Sequence, residues 1–396
     1  MKALSRTTIA SLACVFLTLT LGGCSTTEYV QANVTPATQA QEELPLHMYM
    51  DIGIIPFDAN IPTSEEELEK QLIIPDVRRA ESQFLAYHLK DTIEQTGNWG
   101  AVRVTPDRSE AVDIHLSGTI INSDGELLIV AVTATDATGH VWLTKEYKDQ
   151  ASKFSYDKDV RDDPFQDLYN EIANDILAIK KGLSETDVVN IRQVAALTYA
   201  KSLSPDAFGK YLDDSGNKVK VKQLPAETDR MLTRIEQIKD REYLFVDTLD
   251  DFYGQFYREM KPSYHEWRYA TYGEAIKLRQ LDRKARNRLI GGAAMIAGGL
   301  YAGSESPTYA AQAASTGTVL GGITAIRSGL NIRKDAEIHA QSLRELSASL
   351  GSEITPFVLD IEGKTIELKG TADVQYQQWR RILKNIYAAE TATPVR

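Results

Sequence analysis

Apolar and polar positions alternate along residues 47–150, and one stretch of this segment has helical spacing instead. Period-two alternation is typical of half-buried strands, and the turn residues Asn122-Ser-Asp-Gly125 lie between two alternating runs. We therefore predict a small α/β sandwich with the element order β-α-β-β-β-β. Its predicted elements are a strand over 48–58, a helix over 75–96, and strands over 101–104, 112–121, 127–135 and 141–147.

Residues 155–288 repeat apolar side chains every three or four positions, which predicts a helical domain. Residues 213–222 interrupt the pattern and indicate a loop or a short hairpin. We expect a bundle of helical hairpins in this part of the chain. Its helix-start signals are Asp163-Pro164, the capping-box pattern Ser184-Glu-Thr-Asp187, Ser204-Pro205, and Pro225 before a long helix.

Ten aromatic residues lie between positions 243 and 272. Phe245, Leu249, Phe252 and Phe256 fall at helical spacing, which predicts that the aromatic side chains pack in a core. A stacking surface for a sugar or a peptide is the alternative. The ten are Tyr243, Phe245, Phe252, Tyr253, Phe256, Tyr257, Tyr264, Trp267, Tyr269 and Tyr272.

Residues 289–331 consist mainly of uncharged and small residues in two arms, and basic residues flank both ends. Small residues every fourth position form a stripe that lets two helix backbones approach closely. The segment resembles the glycine-zipper segments of Gram-negative envelope proteins, which implies a helical hairpin that contacts a membrane or another helix. A soluble, tightly packed hairpin is the alternative. The stripe is formed by Gly291, Gly299, Gly303, Gly317, Gly321 and Gly329.

Residues 332–392 complete the chain with a helix, a β-hairpin over 357–368 and an amphipathic helix over 375–387. The predicted fold class is therefore α+β. It combines the N-terminal sandwich, a helical middle, the glycine-zipper hairpin, and a C-terminal β-hairpin followed by a helix.

The first 23 residues have the features of a secretory signal peptide. Lys2 and Arg6 precede an apolar run of about a dozen residues, which ends in Leu21-Gly22-Gly23-Cys24. This ending resembles the lipobox of bacterial lipoproteins, in which the cysteine becomes the lipidated first residue. The resemblance implies a lipid on Cys24, and Ser25 after it implies sorting to the outer membrane. Residues 24–46 lack apolar periodicity and predict a flexible tether.

Composition and charge exclude several classes of function. The chain has 396 residues and a formal net charge of −11, which becomes −13 once Lys2 and Arg6 leave with the signal. A net acidic charge of this size argues against nucleic acid as the main partner. Cys14 leaves with the signal and Cys24 carries the lipid, so neither cysteine forms an internal disulfide. The six histidines show no metal-ligand spacing, and no cofactor or catalytic motif is present.

The segment 48–148 also carries a second resemblance. It contains Ile54-Ile-Pro-Phe-Asp58, a helix, the turn Gly97-Asn-Trp99 and the meander strand Val112-Asp-Ile-His-Leu-Ser-Gly-Thr-Ile120. This arrangement is similar to the amino-terminal domain of the translocation protein TolB and to domains of curli-secretion and peptidoglycan-synthase-activator lipoproteins. The resemblance implies a module that binds envelope proteins and turns over no substrate.

We therefore expect a non-enzymatic outer-membrane lipoprotein on the periplasmic face, acting as an accessory or scaffold in envelope assembly or export. Its expected partners are the membrane and envelope proteins, and the glycine stripe also allows a homo-oligomer. A membrane-inserting, oligomeric component of a secretion conduit is one alternative. An envelope hydrolase is another, because Asp247, Asp250 and Asp251 share one helix face and could hold a cation or perform acid–base chemistry.

Overall fold

A computed structural model gives the fold. It describes residues 35–71, 73–157, 160, 162–226, 228–301, 345, 357–361 and 364–391.

The described residues form a mixed α/β fold around one five-stranded sheet with the spatial order β2-β1-β3-β4-β5. The first strand is parallel to both of its neighbours, whereas the β3–β4 and β4–β5 pairs are antiparallel. The strands are β1 (Ile52–Ile54), β2 (Val102–Val104), β3 (Ile114–Ser123), β4 (Leu127–Asp136) and β5 (Val141–Gln150).

The predicted strands and the helix over 75–96 occur in the expected order, but the structure adds a short helix at Glu65–Lys70, and the first strand is shorter than expected. Only Ile52–Ile54 of the predicted strand over 48–58 form a regular strand, and Asp58 adds an isolated parallel bridge to Thr119. Pro56 follows closely and lacks the N–H that a continuing ladder needs. Alternate residues of β3 and β4 are buried, and their apolar side chains belong to the core.

Seven α-helices lie in the described part of the chain. Short 3-10 helices at Leu46–Met48, Lys153–Tyr156 and Gly209–Tyr211 connect some of the larger elements. The α-helices are α1 (Glu65–Lys70), α2 (Pro75–Gln95), α3 (Gln166–Lys181), α4 (Glu185–Leu203), α5 (Pro205–Phe208), α6 (Arg230–Tyr301) and α7 (Ala372–Thr391).

Helix α6 organises the fold, because it contacts α2, α4, α7, β2 and the 3-10 helix over Lys153–Tyr156. Its 72 residues span roughly 110 Å. It passes through Pro262, which lacks a backbone N–H and ordinarily weakens a helix. Met260 and Tyr264 on either side of the proline are fully buried, so packing keeps the chain helical there.

The expected bundle of helical hairpins in residues 155–288 is wrong, because one uninterrupted helix occupies residues 230–288. The start at Ser204-Pro205 leads to only four helical residues. At the Asp163-Pro164 signal, α3 begins two residues later, at Gln166, and the Asp163 carboxylate accepts the Phe165 N–H at 3.0 Å. The capping box at Ser184 and Asp187 is confirmed.

Two predicted hairpins are confirmed. Strands β6 (Leu212–Asp213) and β7 (Lys220–Val221) pair within the interruption predicted at residues 213–222. Strands β8 (Phe357–Ile361) and β9 (Lys364–Leu368) pair antiparallel before α7. Helix α7 then buries Tyr376, Trp379 and Leu383, as its amphipathic pattern predicts.

Part of the predicted flexible tether is bound to the folded body. The Thr35 N–H donates to Asp167 at 3.1 Å, and the Thr38 N–H donates to the Asn174 side chain at 2.8 Å. The Asn174 amide returns a hydrogen bond to the Pro36 carbonyl at 3.0 Å. We call residues 35–46 the strap. The prediction of a flexible tether is therefore wrong for the strap. The strap is bound through hydrogen bonds of its backbone, and these bonds require no apolar pattern in the sequence.

Buried apolar side chains of the sheet and of α2, α3, α4, α6 and α7 form one connected cluster. The sheet segment and the helical segment therefore share a core. Among the residues that the structure describes, no helix carries an apolar stretch long enough to cross a bilayer.

Candidate functional site

The predicted site residues lie at or beyond the limits of the described chain. Gly291 and Gly299 belong to the last turns of α6, where the backbone is helical. The remaining predicted site residues lie outside the described residues, namely Cys24, Ser25, Gly303, Gly317, Gly321 and Gly329.

Two acidic residues of α6, Asp247 and Asp250, bind the edge strand β2 of the sheet. Asp250 accepts the backbone N–H of Val104 in strand β2 at 2.9 Å and pairs with Lys90 at 3.2 Å. Asp247 pairs with Arg103 of the same strand at 2.6 Å. These contacts occupy the two carboxylates with neighbouring protein groups. Within the described residues, no group of three or more metal-ligand side chains could hold an ion.

The aromatic segment is core, as its helical spacing predicts. Seven of its ten side chains are buried, whereas Tyr269 is half-exposed on the surface. The ring of Tyr257 packs 4.7 Å from that of Phe84, and its hydroxyl lies 2.6 Å from Nδ1 of His88. Burial lowers the pKa of His88, so the neutral ring is favoured at that position.

A closed polar cluster lies where α6 crosses the chain before α3. The Arg268 guanidinium donates to both carboxylate oxygens of Asp163, at 3.2 and 2.7 Å, and both side chains are only 1% exposed. Burial alone would raise the pKa of Asp163, but Arg268 lowers it to about 2. Arg268 also lies over the Tyr264 ring, at 4.2 Å from its centre.

The closed cluster extends to α2 through a second buried ion pair. Arg78 pairs with Glu81 at 2.8 Å, and both are almost fully buried. Glu81 also accepts the hydroxyls of Tyr264 and Ser123, each at 2.9 Å. Burial raises the pKa of Glu81 despite these favourable partners. Every charge in this cluster thus has a partner of opposite sign inside the protein.

The β3–β4 turn docks directly on the backbone of α6. A Cβ added at Gly125 would lie 2.1 Å from the Arg268 carbonyl oxygen, so only glycine fits there. The Tyr156 hydroxyl donates to the Gly125 carbonyl at 2.6 Å. Arg279 then pairs with Asp124 and Glu126 of the same turn. These contacts fix residues 268–279 of α6 against the β3–β4 turn.

A second polar cluster joins α7 to α6 and to the β2–β3 loop. Arg380 of α7 donates to both oxygens of Glu242, at 3.0 Å each, and also pairs with Glu110. Glu242 is fully buried and accepts the Tyr376 hydroxyl at 3.3 Å. Burial would lower the pKa of Arg380, but Glu242 and Glu110 raise it above its usual range.

This second cluster opens into a cleft of about 240 Å³ between the β2–β3 loop and α7. Four cationic and two acidic side chains line it, and Arg380 forms part of its wall. We call this space the α7 cleft. Its lining residues are Asp107, Arg108, Glu110, Tyr376, Gln377, Arg380, Arg381 and Lys384.

Sequence reasoning missed both clusters and the cleft. Glu242 and Arg380 are 138 positions apart, and Asp163 and Arg268 are 105 apart, so no local spacing connects them. One sequence feature could have indicated the cleft: Arg380, Arg381 and Lys384 lie close together on an amphipathic helix. Comparison of the chain with protein-family models, curated proteins and solved structures gives no match.

Proposed function

We propose that this chain is a non-enzymatic outer-membrane lipoprotein that acts as an accessory or scaffold in envelope assembly or export. The sequence Leu21-Gly22-Gly23-Cys24 at the end of the signal-like segment carries the proposal. Its function is to hold a folded, protein-binding body at the periplasmic face of the membrane.

The strap supports a short connection between the lipid and the body. It fixes the chain from Thr35 onward, and eleven chain steps separate Thr35 from Cys24. Even a fully extended chain spans at most about 40 Å over that distance. A lipid on Cys24 would therefore lie within about 40 Å of Thr35.

The contacts of the α6 acids favour a scaffold over a hydrolase. Asp247 and Asp250 are engaged by Arg103, Lys90 and the Val104 N–H, and together they attach α6 to strand β2. The Asp250 side chain is largely buried by these contacts, whereas that of Asp247 is half-exposed and Asp251 is exposed. The contacts give Asp247 and Asp250 a role in joining two elements of the fold.

Labelling cells with a radioactive fatty acid tests the lipid attachment. The unaltered chain should carry label, and Cys24→Ala should carry none and accumulate as unprocessed precursor. Ser25→Ala is the matched control, because it leaves the thiol in place and should be labelled normally. Label on the Cys24→Ala protein would contradict the proposal, as would an unlabelled parent.

A membrane-inserting component of a secretion conduit is the second candidate. One observation favours it: α6 continues as a helix from Arg279 to Tyr301, a rise of about 33 Å, and includes Gly291 and Gly299. A helix with small residues at its contact face can pack closely against another helix, in a membrane or in an oligomer.

Fractionation of a Cys24→Ser protein with a cleavable signal peptide separates the two candidates. The conduit candidate predicts that this protein still sediments with membranes, and that Ile323→Lys in the second glycine-rich arm releases it. A Cys24→Ser parent that is fully soluble would exclude insertion and leave the anchored scaffold.

A further inference from the structure

We propose that the α7 cleft binds a phosphate group of a small molecule or of a lipid headgroup. The cleft lies between the β2–β3 loop and α7, and it is separate from the lipid attachment that the proposed function requires. Three observations carry the inference: the charges that line the cleft, the partners these charges already have, and the size of the space.

Arg380 is the fixed cation of the cleft. Its guanidinium binds both oxygens of the buried Glu242 and one oxygen of Glu110, and it lies 3.3 Å from the Ser202 hydroxyl. These acceptors compensate its charge within the protein. Arg380 therefore shapes the wall and gives the cleft a rigid base.

The two acidic side chains of the lining are also engaged. Arg380 holds Glu110, and the Gln377 amide donates to Asp107 at 3.3 Å. Asp373 lies near Asp107. Both acidic side chains of the lining therefore already have a partner within the protein.

Arg108, Arg381 and Lys384 are the other cations of the lining. All three are exposed, and none of them forms a side-chain ion pair or hydrogen bond within the described residues. Arg381 and Lys384 are three positions apart on α7 and so share one helix face, while Arg108 comes from the opposite wall. These three unpaired cations are therefore available to an anion from solution, in a chain whose net charge is −11.

Phosphate suits this set of cations better than a carboxylate does. It carries up to two negative charges and three acceptor oxygens, whereas a carboxylate carries one charge on two oxygens. The two guanidinium groups can each donate two parallel hydrogen bonds to such oxygens. The cleft volume of about 240 Å³ is below that of pockets for drug-sized ligands, so it favours a small ionic group.

Calorimetric titration of the full-length purified protein with pyrophosphate tests the site. We expect saturable binding that weakens with added salt, because the cations are exposed to solvent. The double variant Arg381→Gln, Lys384→Gln should lose about tenfold or more in affinity. Lys218→Gln, a charge removal on the β6–β7 hairpin, is the control and should bind as the parent does.

Sedimentation with phosphatidylglycerol vesicles, using the Cys24→Ser protein, distinguishes the two sources of phosphate. Binding that pyrophosphate displaces, and that the double variant loses, indicates a lipid headgroup. Pyrophosphate binding without vesicle binding indicates a small molecule. Absence of both overturns the proposal, and so does a double variant with unchanged affinity. An unchanged melting temperature of the variant would confirm that folding is not the cause of a loss.

Discussion

The molecule contains two polar clusters of opposite design. The cluster around Arg268 and Asp163 is closed, since both side chains are 1% exposed and form an ion pair with each other. The cluster around Arg380 and Glu242 begins in the interior but ends in the α7 cleft, where Arg381 and Lys384 lack partners among the described residues. Both clusters join α6 to other parts of the fold.

The difference separates charges that maintain the fold from charges that are available to a ligand. A buried charge must be paired internally, because removing it from water costs several kcal/mol. An exposed charge has no such requirement, and changing it costs little stability. Variants of the closed cluster should therefore affect folding, and variants at the rim of the α7 cleft should affect binding.

Arg268→Met is expected to have the largest effect on stability. It leaves the Asp163 carboxylate buried without its cation, and breaking such a pair costs about 3–5 kcal/mol. Urea denaturation followed by circular dichroism measures the loss. Arg258→Met, an exposed change on the same helix, should cost little. A loss below about 1 kcal/mol for Arg268→Met would contradict the structural role of the closed cluster.

Gly125→Ala tests the contact between the β3–β4 turn and α6. The new Cβ would overlap the Arg268 carbonyl oxygen, and a helix backbone cannot move aside cheaply. We expect a loss near the upper end of overpacking effects, about 3 kcal/mol. Gly216→Ala is the control, because nothing lies within 4 Å of its Cβ position. Similar unfolding midpoints for both variants would disprove the close approach.

Asp113 provides a contrast to Asp163. Both carboxyl groups are buried, but Asp113 lies beside Asp51, whereas Asp163 is paired with Arg268. Burial raises the pKa of Asp113 to about 6, although its carboxylate accepts the Asp51 N–H at 2.8 Å. A carboxyl pKa that is higher in the folded state stabilises the protein at low pH, and this contribution is lost as pH rises through about 6. Asp163 shows the opposite dependence, because its folded pKa of about 2 gives stability that is lost as pH falls below 4.

Asp113→Asn should therefore stabilise the protein by about 1–3 kcal/mol at pH 7.5 and have little effect near pH 4. Denaturant titrations at both values measure the difference. Asp240→Asn, at an exposed position, should change neither. A variant whose effect is the same at both pH values would contradict the raised pKa.

Arg381→Gln is expected to have the smallest effect on stability, within about 0.5 kcal/mol of the parent. Its neighbour Arg380 provides the contrast, since Arg380→Gln would leave Glu242 buried without a cation. Thermal unfolding of the two variants side by side makes the comparison. Equal losses of thermal stability would contradict the distinction between a structural Arg380 in the interior and an exposed Arg381 at the rim.

Local patterns predicted the elements that depend on neighbouring residues. The turn Asn122–Gly125 and the alternation around it gave β3 and β4, and the Ser184 capping box gave the start of α4. Helix α7 followed from its apolar stripe. These features are formed by residues close in sequence, so the pattern of a single sequence is sufficient to predict them.

Long-range features could not be predicted in the same way. The strap depends on side chains of α3 more than 130 positions away, and its own residues show no pattern. Helix α6 passes through Pro262 because buried neighbours hold it, although the local preference is for an interruption. The α7 cleft needs the β2–β3 loop and the C-terminal helix together, which only the fold provides.

Mass spectrometry of the N-terminal peptide, on protein extracted from membranes, tests whether Cys24 anchors the chain. We expect a peptide that begins at Cys24 and carries the added mass of a thioether-linked diacylglycerol. We also expect that removing this peptide releases the folded body from the membrane, unless the glycine-rich segment inserts. A mature chain that begins elsewhere, or an unmodified Cys24, would contradict the anchored scaffold.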